Sequence, residues 1–124
     1  MVSIYLAMLL RGDPVVVKGP LDRVRDLVYI DDCVAAWRAA LGGDVRGPVN
    51  VGTGVGTSVR ELLDGLIAQL GLPADHPVVE AGRTPGDQTA LVADTSRARD
   101  LLGWTAATGV QEGLAAMVNW ARHG

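Results

Sequence analysis

The sequence predicts an α/β fold in which short strands alternate with about five helices. Three observations lead to this prediction. Short β-branched runs such as 15–17 stand between turn residues. The stretch 58–70 repeats its apolar residues with helical spacing, and glycines or prolines separate the elements. With 124 residues, the chain is long enough for one domain over 1–124 and too short for two.

In the first half of the chain, residues 1–11 predict an apolar helix without an N-cap, as expected of an internal element. Strands are predicted at 15–17, 27–30 and 48–51. Asp31 or Asp32 would cap a helix that runs to about Leu41. For these adjacent carboxylates, capping is favoured over an acid/base pair.

In the second half, Ser58 and Glu61 predict a capping box at the start of an amphipathic helix. The helix would run to Leu70 and end at Gly71. The remaining predicted elements are short strands at 78–80 and 90–92, a helix capped by Asp94, and a last helix opened by a Thr108–Gln111 capping box. Trp37, Trp104 and Trp120 are interpreted as core or interface side chains.

Composition and charge narrow the class of partner. Fourteen acidic residues against eleven basic ones give a net charge of −3, which disfavours nucleic acid. The apolar run 1–10 is shorter than the roughly 20 residues that a membrane span needs, so no membrane is expected. A single cysteine, Cys33, indicates a cytoplasmic protein. No cluster of side chains has the spacing of a metal site.

A glycine-rich loop occupies residues 52–56, between a predicted strand and a predicted helix. A dinucleotide fingerprint needs glycine at its first, third and sixth positions, and the sixth position here is Thr57. A phosphate-binding P-loop would need a lysine, which is missing. We therefore predict a tight turn with some anion affinity, and no cofactor bound by this chain alone.

Two arginines, Arg23 and Arg25, are two residues apart and project to the same side of an extended segment. Such a pair suits a phosphate or pyrophosphate. The alternative is that the two side chains are solvated and paired with Asp22 and Asp26, and spacing alone favours neither. The polar turn 83–87 is more typical of a plain loop than of a ligand site.

Several segments, taken in order, resemble the C-terminal, substrate-binding part of the NAD(P)-dependent nucleotide-sugar epimerase/dehydratase family. These proteins are extended short-chain dehydrogenases/reductases of the UDP-glucose 4-epimerase type. The similar segments are V-V-V-K-G followed by R-D-L-V-Y-I-D-D (15–19 and 25–32), N-V-G-T-G (50–54), P-G-D, A-D-T-S-R-A and L-G-W (85–87, 93–98 and 102–104), and E-G-L with N-W (112–114 and 119–120). The resemblance covers nearly the whole chain and implies a small substrate-binding portion without a complete Rossmann sheet.

The resemblance also implies a set of roles. Members bind NAD(P) in an N-terminal Rossmann domain, oxidise a sugar carbon transiently and return the hydride. By position, Arg25 would contact the pyrophosphate of a nucleoside diphosphate sugar, and Asn50 would lie near the site. Arg83 would reach a phosphate and Asp87 a ribose, while Lys18 would lie near the base. The chain departs from the family pattern at three positions that bear on the identity of the base and on the role of Arg83. Pro20 stands where an acidic turn residue is common, Lys18 stands where an aromatic residue is common, and Arg83 is displaced by one position.

The family's catalytic Tyr-x-x-x-Lys pair has no counterpart, because Leu9 follows Tyr5 and Cys33 follows Tyr29 at the lysine position. We therefore expect a nucleotide-sugar-binding portion without its dinucleotide domain, not catalytic alone. It would be a fragment, a split gene product or an internally started frame. The alternative is a non-enzymatic α/β interaction module, in which self-association or a partner chain buries the face left by the missing Rossmann domain.

Overall fold

Short strands and helices alternate along the chain, which confirms the predicted α/β class. The computed structural model describes residues 1–82 and 85–124. Within them lie five helices, α1 Val2–Leu10, α2 Ile30–Leu41, α3 Val59–Leu70, α4 Ser96–Leu102 and α5 Val110–His123. The strands are β1 Val15–Val17, β2 Val24–Asp26, β3 Gly56–Ser58, β4 Val78–Glu80 and β5 Ala90–Leu91. None of the described helices combines the length and apolar character needed to cross a bilayer.

The strands form two small sheets rather than one large one. In the first, β1 and β4 are parallel, with Val15 opposite Val78. In the second, β2 is the central strand, antiparallel to β3 on one side and parallel to β5 on the other. Arg25 lies opposite Thr57 of β3 and Leu91 of β5, so the centre of this sheet carries a candidate site residue.

The main core is built around α3, the helix with the clearest sequence signals. Its predicted capping box is confirmed: the Ser58 hydroxyl accepts from the Glu61 N–H, and the Glu61 carboxylate accepts from the Ser58 N–H. Gly71 ends the helix in the left-handed conformation at φ 69°. The buried side chains of this core come from α1, β1, α3 and α5, and include Tyr5, Leu6, Leu9, Val15, Val17, Leu62, Leu63, Leu66, Leu114 and Val118.

A second, smaller core joins α2 to α4. Ala36 and Ala98 are buried together with Trp104, and Val49 and Val51 pack against them. Trp104 is therefore a core residue, as predicted for the tryptophans. Trp37 and Trp120 are 65% and 69% exposed, so those two lie on the surface of the chain.

Two predicted strands are wrong. The apolar run 27–30 is not a strand, because the strand ends at Asp26 and α2 begins at Ile30. Residues 48–51 also lack strand pairing, and β3 lies after the glycine-rich loop, not before it. Leu27 packs against the main core, and Val49 and Val51 pack against the smaller one. The strands that pair with β2 are instead β3 and β5.

Three helix caps also differ from prediction. Helix α2 has Tyr29 at its N-cap without a side-chain cap, and α5 begins after Gly109 without a Thr108–Gln111 capping box. Asp32 instead lies in the first turn of α2, and its buried carboxylate accepts from the N–H groups of Ala107 and Thr108. Burial acts to raise the pKa of Asp32, but these hydrogen bonds outweigh it and the pKa lies below its usual range. Thr95 is the N-cap residue of α4, although the Asp94 carboxylate accepts from the Ser96 N–H at 3.0 Å.

Candidate functional site

The two arginines around β2 converge on one carboxylate. Nη1 of Arg23 pairs with Oδ2 of Asp87, and Nη2 of Arg25 lies 2.8 Å from Oδ1 of the same residue. Nη1 of Arg25 also donates to the carbonyl oxygens of Val24 and Gln88, at 2.7 and 3.0 Å. The turn that contains Asp87 is thereby held against β2, more than sixty residues away in sequence.

This arrangement bears on the alternative interpretation of the arginine pair, in which both side chains are solvated and paired with neighbouring aspartates. Among the described ion pairs, neither arginine is joined to Asp22 or Asp26, so that predicted pairing is wrong. The side chains of Arg23, Arg25 and Asp87 are 12, 22 and 24% exposed. Two guanidiniums share one carboxylate, so the trio carries one net positive charge in a partly desolvated position. Such a charge favours an anion.

Gly19 allows the trio to assemble beside the turn after β1. Its φ is 108°, a conformation that residues with a side chain rarely adopt. A Cβ added there would lie 3.1 Å from Nη1 of Arg23 and 3.6 Å from Oδ2 of Asp87. Glycine at this position therefore satisfies both the backbone and the close approach of the Arg23 guanidinium.

Asp26, which follows Arg25 in β2, binds the glycine-rich loop. Its carboxylate accepts from the N–H and the hydroxyl of Thr53, at 2.8 and 2.6 Å. It also accepts from the N–H groups of Gly54 and Ala93, at 2.9 and 3.2 Å. Burial acts to raise the pKa of Asp26, but the four hydrogen bonds outweigh it and hold the pKa below its usual range.

The same carboxylate explains a glycine in the loop. A Cβ at Gly52 would lie 2.7 Å from the Ala93 Cβ and 2.7 Å from Oδ2 of Asp26, distances too short for real contacts. Gly52 is therefore needed for packing, as the predicted tight turn requires. Asp26 fixes this turn and Ala93, the second residue after β5, in one position relative to β2.

Asn50 lies in the same region as Arg25. Both residues line a groove of about 360 Å³, together with Asp26, Val51 and the segment 91–93. The Asn50 side-chain amide donates to the carbonyl oxygen of Asp94 at 3.2 Å. A second groove, of about 310 Å³, is lined by Arg23, Asp87 and the neighbouring turn residues. The Arg25–Asp87 ion pair connects the residues of the two grooves.

Of the other two predicted site residues, Lys18 and Arg83, the structure describes only Lys18. Lys18 is exposed on the turn after β1, directly before Gly19, and forms none of the described side-chain hydrogen bonds. Arg83 lies outside the described residues. The structure thus brings Arg25, Asn50 and Asp87 together and leaves Lys18 at the margin.

Arg23 and Asp26 are the site residues that the sequence-based set leaves out. The two-residue spacing of Arg23 and Arg25 was the signal for the first. For Asp26 there was no local signal, because its partners are 27 and 67 residues away in sequence.

The α/β fold with two small sheets matches a C-terminal part of an extended short-chain dehydrogenase/reductase. The sequence profile of the GDP-mannose 4,6 dehydratase family matches residues 2–117. The chain belongs to this family of nucleotide-sugar enzymes, and it corresponds to a C-terminal part of the extended short-chain dehydrogenase/reductase.

Individual relatives agree. The chain is 38% identical to a UDP-glucose 4-epimerase of Mycolicibacterium smegmatis, over 98% of this chain and 39% of that protein. It is 30% identical to UDP-glucuronic acid decarboxylase 6 of Arabidopsis thaliana, over 94% of this chain and 33% of that protein. A UDP-glucose 4-epimerase of Thermotoga maritima, solved with UDP-glucose, superposes with a TM-score of 0.90 at 34% identity, covering 98% of this chain and 38% of that one. The chain therefore spans about two fifths of the length of these epimerases.

Proposed function

We propose that this chain is the nucleotide-sugar-binding portion of an epimerase or dehydratase, a single substrate-binding domain over residues 1–124. The observation that carries the proposal is the position of Arg25, whose partly exposed side chain lines the groove of about 360 Å³ and pairs with Asp87 in the wall of the other groove. A guanidinium offers a planar set of donors to two phosphate oxygens at once. Relatives supply the class of ligand, since one was solved with UDP-glucose.

The proposed roles follow the family pattern. Arg25 binds the pyrophosphate, Asp87 accepts from a ribose hydroxyl, and Asn50 donates to the ligand from the far side of the groove. Lys18 lies near the base, and Arg83 contributes a phosphate contact. Support for the first three comes from their shared position around β2. The last two rest on sequence position only.

The experiment is isothermal titration calorimetry of the chain with UDP-, dTDP- and GDP-sugars. We expect weak binding of at least one sugar nucleotide, and Arg25→Gln weakens it about tenfold or more because a charge-assisted contact is lost. Arg38→Gln is the matched control, an exposed arginine on α2 that leaves affinity unchanged. The absence of heat with every sugar nucleotide would remove the proposal.

The chain alone is proposed to be non-catalytic. Its sequence has no Tyr-x-x-x-Lys pair to transfer a proton at the sugar hydroxyl. NAD appears with relatives such as the Thermus thermophilus UDP-glucose 4-epimerase, of which this chain covers 40%. Incubation with UDP-glucose and NAD should give no epimer by chromatography. Turnover above a buffer blank would contradict this part of the proposal.

A second candidate function, an interaction module, is favoured by an apolar surface. Two grooves, of about 280 and 470 Å³, share Val28, Tyr29, Gly113 and Met117 in their walls. Ile30 is also 60% exposed nearby. Either self-association or a dinucleotide-binding domain would cover this apolar surface. Light scattering tests the first option: a monomer over the micromolar range would exclude self-association as the function.

A further inference from the structure

We infer that Arg23 is a second diphosphate-binding guanidinium beside Arg25, and that Asp87 is the counter-ion that a diphosphate displaces from both. The inference rests on the proposed function and adds a residue to its site. It also gives Asp87 a role in the free chain that is separate from any contact with a ribose.

The first argument is geometric. Arg23 and Arg25 place one nitrogen each on the two oxygens of a single carboxylate. A carboxylate and a phosphate group present oxygens to guanidinium donors in similar ways. The position of Asp87 therefore marks a place where both arginines reach one anion, and a diphosphate offers more oxygens than the carboxylate does.

The second argument compares the hydrogen-bond acceptors that each guanidinium has. Arg25 has three acceptors, namely Asp87 and the carbonyl oxygens of Val24 and Gln88. Arg23 pairs with Asp87 and lies beside the Tyr5 side chain, and its Nε is buried without an acceptor among the described residues. Buried donors in proteins nearly always have a partner. Arg23 is thus the arginine with fewer acceptors among the described residues, and because its Nε is buried, a ligand would be bound by its Nη groups.

The third argument is access. Arg23 and Asp87 line the groove of about 310 Å³, whose other walls are Pro20, Asp22 and the turn 85–89. The groove is open on the side of the carboxylate, which remains 24% exposed. A diphosphate can therefore approach the trio without unfolding the turn. The competing interpretation is a purely structural clamp between β2 and that turn, and the experiment below separates the two.

The test uses calorimetry with two probes, inorganic pyrophosphate and UDP-glucose, on the wild-type chain, Arg23→Gln and the control Arg38→Gln. We expect Arg23→Gln to weaken binding of both probes about tenfold or more, as for loss of a charge-assisted contact. Unchanged affinity in Arg23→Gln, with wild-type binding intact, overturns the role of Arg23 and leaves the proposed function standing. Binding of pyrophosphate that depends on Arg23, with no tighter binding of UDP-glucose, supports the anion site and overturns the nucleotide-sugar function. No binding of either probe by the wild-type chain overturns both.

Asp87→Asn tests the counter-ion. Pyrophosphate has no ribose, so removal of the competing carboxylate should raise its affinity several-fold, whatever Asp87 does with a nucleotide. Equal or weaker pyrophosphate binding overturns the proposed displacement of Asp87.

Thermal unfolding followed by circular dichroism checks that each variant is folded. If Arg23→Gln is unfolded, Arg23→Lys carries the test: it keeps the charge but not the planar donor set, and it should bind pyrophosphate more weakly than wild type, with equal binding overturning the role of the guanidinium.

Discussion

Replacement of Asp26 by Asn should destabilise the chain more than any other single exchange of an aspartate oxygen for nitrogen. Four donors meet the carboxylate, two at each oxygen. In the variant one side keeps a carbonyl acceptor, and the new NH₂ faces two donors on the other side. Hydrogen bonds to charged groups contribute about 1.5–3 kcal/mol each, so we expect a loss of about 2–4 kcal/mol after allowance for partial exposure.

Urea unfolding followed by circular dichroism measures this loss. With a slope of about 1–3 kcal/mol/M, the midpoint should fall by about 1 M or more. Asp64→Asn is the matched control, because Asp64 is exposed on α3 and its carboxylate forms none of the described side-chain hydrogen bonds. We expect its midpoint to stay within error of wild type.

The pH dependence gives an independent check on the same carboxylate. The pKa of Asp26 is lowered in the folded chain, so its contribution to stability is fully present above its unfolded pKa of about 3.9. The contribution is lost as pH falls through the lower folded pKa. The difference between wild type and Asp26→Asn should therefore shrink in strong acid. A loss below about 0.5 kcal/mol at pH 7, or a difference that does not shrink, would refute the reasoning.

Three further exchanges test the rest of the fold. Leu62→Ala empties a fully buried position and should cost about 2–5 kcal/mol in urea unfolding; a loss under 1 kcal/mol would contradict its central place in the core. Gly52→Ala forces a Cβ to within 2.7 Å of the Ala93 Cβ and should cost about 1–3 kcal/mol, whereas Gly43→Ala, which meets only ordinary contacts, should unfold at nearly the wild-type midpoint. Asp32→Asn should lower the thermal midpoint at pH 7 and should make the midpoint fall less steeply below pH 4. The reason is that a carboxylate with a lowered pKa stabilises the fold only while it is ionised. If the midpoint of the variant falls below pH 4 as steeply as that of the wild type, this reasoning is wrong.

Local signals predicted those elements whose determinants lie within one stretch of chain. Helix α3 is the clearest case, because its capping box, apolar stripe and terminal glycine all fall within residues 58–71. The strands of the second sheet could not be found in this way. β2 is polar at two of its three positions, and it is a strand because β3 and β5 pair with it from thirty or more residues away.

The site was predictable in composition but not in assembly. The resemblance to nucleotide-sugar enzymes selected Arg25, Asn50 and Asp87, and the structure brings these three to one region. The contact between Arg25 and Asp87 spans 62 residues, and no spacing rule indicates it. Asp32 shows the same limit, because its adjacency to Asp31 suggested a helix cap while its real partners lie 75 and 76 residues further on.

Arg25 and Asp26 are neighbours in the central strand of the second sheet, and this adjacency should link the stability of the chain to the anion binding that we propose. The guanidinium of Arg25 binds the turn at Asp87, while the carboxylate of Asp26 binds the turn at 52–54 and Ala93, two residues after β5. Loss of the second set should displace β5, and with it the backbone carbonyl of Gln88 that holds Arg25.

Asp26→Asn should therefore weaken pyrophosphate binding several-fold even at temperatures where the variant is fully folded. Leu62→Ala provides the comparison, because it removes a similar amount of stability from the main core, and Leu62 lines neither of the grooves beside the arginines. If both variants, measured well below their thermal midpoints, bind pyrophosphate equally well, then Asp26 supports the fold alone. A selective loss in Asp26→Asn would mean that the carboxylate positions the neighbouring arginine for its ligand.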